Sequence, residues 1–168
     1  MLRLPHIDLI INFFDSIGLA VIRKPIINPT FLSGLQLENG KLVIDTEKLL
    51  YPGDILHEAG HLATMPPDVR ETMSDNLENN DLNRGGEMMA IAWSYAACLH
   101  LKLDPHIVFH PDGYKGEGAD IVKNFNEGRY IGIPLLQWAG MTCDEKRAEQ
   151  LKTNPYPHMT RWVREMTS

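Results

Sequence analysis

Residues 53–64 read Gly-Asp-Ile-Leu-His-Glu-Ala-Gly-His-Leu-Ala-Thr, and the five at their centre, His57-Glu58-Ala59-Gly60-His61, decide how the rest is read. Ile55 and Leu56 precede the five, Leu62 and Ala63 follow them, and the spacing predicts a helix. On a helix, positions i and i+4 share a face one turn apart, so both imidazoles can reach one metal ion. Glu58 falls about 100° round the axis, beside that face, where it can touch a water without filling a coordination position. Zinc suits two neutral imidazoles plus a carboxylate, with a fourth position left for water. With seven His in 168 residues, an HExxH match arises by chance about 0.02 times, so the pattern carries information.

Upstream of the motif, Asn39-Gly40 separates residues 35–38 from residues 41–45 and is a strong hairpin signal. The first arm alternates apolar and polar residues, which predicts one covered face and one wet face. Residues 19–22 read as a further strand, ending raggedly at Pro25 and Pro29. Ile10, Phe13, Phe14 and Ile17 follow the i, i+3, i+4, i+7 rule, which predicts an amphipathic helix over 6–17 with Gly18 as its cap.

Downstream comes a polar stretch, 65–86, with a short helix expected near 68–76. A helix apolar nearly all round follows over 87–101 and should be central. Shorter helices are expected at 118–125 and 134–141, the second with Pro134 at its start. Thr142-Cys143-Asp144-Glu145 has the form of a capping box opening a charged helix. Met159, Trp162, Val163 and Met166 complete a last amphipathic stripe, and Trp93, Trp138 and Trp162 are expected in the core. The pattern predicts one α+β domain over 1–168: a small mixed or antiparallel sheet near the N-terminus, packed on a mostly helical body.

Composition narrows the function classes. Sixteen Lys+Arg against twenty-two Asp+Glu give a net charge of −6, which disfavours nucleic acid or an anionic membrane surface as partner. Cys98 and Cys143 form no CxxC pair and fit a reducing compartment. Asp8, Asn12 and Asp15 interrupt the apolar start, and the uncharged run 88–99 falls short of the roughly 20 residues of a membrane span. A soluble cytoplasmic protein is expected.

The HExxH and its uncharged surroundings resemble the zincin superfamily of metallopeptidases. The resemblance implies a zincin-like fold, His57 and His61 as zinc ligands, and Glu58 as general base. Zincins differ in their third ligand. The metzincin pattern would place Gly and His where this chain has Thr64 and Pro67. The gluzincin arrangement takes a Glu from a second helix, and Glu87, 26 positions beyond His61, fits it. Gly85-Gly86 before it would permit a close backbone approach. Glu87 can also be read as a first-turn carboxylate complementing the helix dipole, and Asp68, Glu71, Asp75 and Glu78 are alternative ligands from the polar stretch. Thermolysin-like gluzincins carry an Asp four residues after the ligand Glu, where this chain has Ile91. The contact that orients a zinc histidine must then come from elsewhere, with Ser94 and Asp54 as candidates. By the same resemblance, an extended substrate would lie along an edge strand near residues 34–45.

A hydrolytic zinc site also needs a donor to the developing oxyanion. His110 and Tyr114, in the Pro- and Gly-rich segment 104–116, are the candidates, ahead of Tyr130 and His158. His6 and His100 read as structural. The expected activity is hydrolysis of a peptide bond in a peptide or protein substrate, with zinc as cofactor. The alternative is a non-catalytic domain that binds a protein or senses a ligand, with zinc serving structure.

Overall fold

A computed structural model of the chain describes residues 4–30, 32–74 and 83–166. It is an α+β fold: seven helices among the described residues and a three-stranded mixed sheet. The first helix, α1 (Leu4–Ile17), buries Ile10, Phe13 and Phe14 of the expected stripe, with Ile7 added one turn earlier and Ile17 only half-buried. Gly18 closes it with a φ of 85°, and the Leu19 amide returns to the Phe14 carbonyl at 3.0 Å.

Strand β1 (Val21–Arg23) pairs parallel to β3 (Lys41–Ile44), and β2 (Leu35–Glu38) pairs antiparallel to it, so the order is β1-β3-β2. The hairpin turns at Asn39 and Gly40, whose φ values of 49° and 79° are both positive, as a two-residue turn of this hand requires. The expectation of one wet face holds for β2, which alternates buried and half-buried residues. It fails at β3, where Leu42, Val43 and Ile44 are all buried: consecutive side chains point to opposite faces, so both faces of this strand are covered.

Helix α2 (Asp54–Thr64) carries the motif, α3 (Pro67–Arg70) is a single turn, and α4 (Asn83–Leu101) is the long central helix. Helix α4 begins four residues earlier than expected, so Glu87 stands in its second turn and the first-turn dipole reading does not apply. Helices α5 (Gly118–Asn126), α6 (Ile133–Trp138) and α7 (Glu145–Leu151) follow the expected order. The capping box is a correction: Asp144 caps α7 by accepting from the Arg147 amide at 2.7 Å. Thr142 instead donates to the His158 carbonyl at 2.7 Å.

The last amphipathic stripe, at helical spacing, is also a correction. Residues 159–166 are irregular, because their amides are spent elsewhere: Thr160 N–H on Met141 O and Arg164 N–H on Ala63 O, each at 2.8 Å. Trp93 is fully buried and donates to the Trp162 carbonyl, and Trp162 packs edge-on against Phe13. Trp138 is 73% exposed, contrary to the core reading. It sits two residues past the buried Leu136 on a six-residue helix, hence on the outer face, with the Arg164 guanidinium over its ring. Cys98 and Cys143 are free and buried. Among the described residues, no helix is long and apolar enough to cross a membrane.

Candidate metal centre

The site begins with two small residues. Gly60 on α2 faces Ala90 on α4; a Cβ added at Gly60 would stand 3.0 Å from the Ala90 carbonyl and 3.2 Å from its Cα. Helices with small residues at the crossing approach closely, and one turn before Ala90 comes Glu87, brought opposite His61. The contact expected of Gly85 and Gly86 takes another form. They lie within α4 and meet side chains, Leu135 and Met65, while the close backbone approach is at Gly60. Ser94 ties the same two helices, its hydroxyl within reach of Ala90 O at 2.6 Å and Leu56 O at 3.3 Å.

His57, His61 and Glu87 converge. The two Nε2 atoms are 3.2 Å apart, Glu87 Oε2 lies 3.0 Å from His61 Nε2, and Oε1 lies 3.6 Å from His57 Nε2. Donors about 2.0–2.1 Å from a tetrahedral zinc lie about 3.3 Å from one another, so these spacings match one face of such a site. This is the one group of three potential ligands within metal-binding reach among the described residues. Asp68 and Glu71 are exposed and outside it; Asp75 and Glu78 lie outside the described residues. Glu58 is half-buried on α2, close enough for its charge to act on His61.

The electrostatics suit a cation. Burial, with His61 and His110 nearby, holds His57 down to about 4, so its ring is neutral near pH 7 and a lone pair is available. Burial also opposes charge on His61, but the hydrogen bond to Glu87 and the charges of Glu58 and Glu87 outweigh it and raise its pKa. Burial opposes ionisation of Glu87 in turn, and the two histidines bring its pKa below the usual carboxylate range.

The loop between α4 and α5 supplies the remaining polar groups. Its turn Pro105–Ile107 packs directly on the start of α2 at Gly53, where the Ile107 carbonyl leaves no room for a Cβ. His110 is buried, its Nε2 2.8 Å from Asp54 Oδ1 and its ring stacked on Tyr51 at 3.8 Å. Burial raises the pKa of Asp54, and the hydrogen bond from His110 works against that rise. His110 Nδ1 is buried with no hydrogen-bond partner among the described residues, and Nε2 is taken up by Asp54, so neither ring nitrogen is presented to a substrate. The Tyr114 hydroxyl meets His57 Nδ1, on the side of the ring away from Glu87.

Asp54 and Ser94, the expected orienting partners of His57 and His61, are engaged elsewhere: Asp54 with His110 and Ser94 with helix carbonyls. Tyr130 packs on Phe125 and Tyr156, and His6 and His158 are exposed. His100 packs at a tilt against Phe13 and Trp162, and His106 bonds Asp104. Sequence reasoning gave no sign of Tyr51, whose partners lie more than fifty residues away. It also missed Arg70 and Arg164, which together satisfy the carbonyls of Leu62, Thr64 and Met65 at the end of α2. Compared with family models, with curated proteins and with solved structures, the chain matches none of them.

Proposed function

We propose that this protein is a zinc-dependent hydrolase of the zincin type, a small metallopeptidase whose ion is held by His57, His61 and Glu87. The observation that carries the proposal is the convergence of those three donors at 3.0–3.6 Å, with Glu58 on the next position of the same helix. Zinc, when bound, supplies Lewis-acid polarisation of a carbonyl and lowers the pKa of a water. His57 contributes a neutral ring, and Glu87 a carboxylate that offsets the cation's charge. Glu58 moves the proton: it accepts one from the attacking water as the new C–O bond forms. It returns the proton to the amine nitrogen as the C–N bond breaks.

A hydrolytic site keeps one coordination position open, whereas a structural zinc is closed by four protein ligands. Three donors, with the Glu87 side chain 42% exposed, favour the hydrolytic reading over the structural one. The substrate is a peptide or protein segment, and the protein works in the cytoplasm.

Glu58→Gln tests the reading. The variant retains one zinc per chain and loses cleavage of a mixed peptide library by at least about a hundredfold. Cleavage at the wild-type rate would remove Glu58 as the base, and a wild type that holds zinc yet cleaves nothing would return the site to a structural role.

A further inference from the structure

Tyr114 occupies a backbone conformation that a bulky side chain seldom adopts. Its φ is 53°, in the left-handed region, between two glycines at 113 and 116. Residues there persist only where the surroundings over-determine them, and here they do. The loop is seated on α2 at Gly53 and on α5 at Gly118, where an added Cβ would collide with the Phe109 carbonyl. The Tyr114 ring rests against Phe109 at 5.1 Å and stands edge-on to His57 at 5.3 Å and 85°. The outcome of that constraint is one contact, hydroxyl to His57 Nδ1.

The two nitrogens of His57 therefore face different partners: Nε2 turns to His61 and Glu87, Nδ1 to Tyr114. A histidine that ligates through Nε2 carries its proton on Nδ1, and the partner of that proton fixes both tautomer and ring orientation. We propose that Tyr114 is the positioning residue for His57, its hydroxyl oxygen accepting the Nδ1 proton so that the Nε2 lone pair stays aimed at the metal position. The role expected of Tyr114 from the sequence is donation to a substrate oxyanion; in the structure its hydroxyl is engaged with His57 Nδ1. This inference rests on the metal-site reading above.

Tyr114→Phe removes one oxygen and keeps the ring packing. Three quantities are measured on the full chain: zinc affinity by competition with a chromophoric chelator, thermal stability without metal, and solvent exchange of the His57 Nδ1 proton by NMR in the zinc-loaded protein. The expected result is a loss of zinc affinity of about ten- to a hundredfold, faster Nδ1 proton exchange, and an unchanged metal-free melting temperature. Unchanged affinity in the variant would overturn the inference, and so would a metal-free variant whose stability collapses, since that marks a packing role. A wild type that takes up no zinc sinks the metal site itself, whereas a zinc-binding wild type with an equally tight variant sinks only the role of Tyr114.

Discussion

His57 and His61 stand one turn apart on one helix yet differ electrostatically, because only His61 is hydrogen-bonded to Glu87 at 3.0 Å. A cation at the triad would take the place of the proton that this pair favours. Another residue whose setting can be tested alone is Asp45, at the end of the hairpin. Its carboxylate accepts from the Ile26 amide at 2.9 Å and the Glu47 amide at 3.1 Å. The Ile26 hydrogen bond is the chief reason its pKa lies below the ordinary 3.8. A lowered native value favours the folded state while the group is ionised. That stabilisation is present above the ordinary value and disappears as pH falls through the native one. Asp45→Asn should therefore lower the denaturant midpoint near pH 7, with the gap to wild type narrowing at an acid pH well below 3.8. A gap of equal size at both pH values would show that Asp45 acts without its charge.

At the scale of elements, the crossing of α2 and α4 governs the site, and Gly60 sets how near the helices come. Gly60→Ala improves helix propensity by about 1 kcal/mol. It also forces the Ala90 backbone to give by a few tenths of an ångström. Stability should stay within about 1 kcal/mol of wild type, because the two effects oppose each other. Zinc affinity should fall on the order of tenfold, because Glu87 rides on the displaced helix one turn from the contact. Equal affinity would mean that Glu87 reaches the site independently of the helix spacing. The sequence made α1, the hairpin and α2 readable because their signals are local: period, a turn dipeptide, and polar groups on an apolar helix. It misread residues 159–166, whose stripe has helical spacing but whose amides serve Met141 and Ala63, partners fixed only by the fold.

For the whole molecule, the legible part of the site was the part written on one helix. The spacing of His57, Glu58 and His61 can be read from the sequence directly, whereas Glu87 came only through the gluzincin resemblance, with Asp68, Glu71, Asp75 and Glu78 as alternatives. The surroundings were hidden because they depend on where the loop between α4 and α5 lands, and that depends on room left by Gly53 and Gly118. The loop is thus seated against α2 at Gly53 and against α5 at Gly118 beside the donors, and occupancy of the site should stabilise the fold by mass action. The most direct test is zinc content per chain after purification without chelators, for wild type and Glu87→Ala side by side. Wild type is expected to hold one equivalent and Glu87→Ala far less under the same competition. A wild-type chain free of zinc, or a Glu87→Ala chain with the same content as wild type, would contradict the assignment.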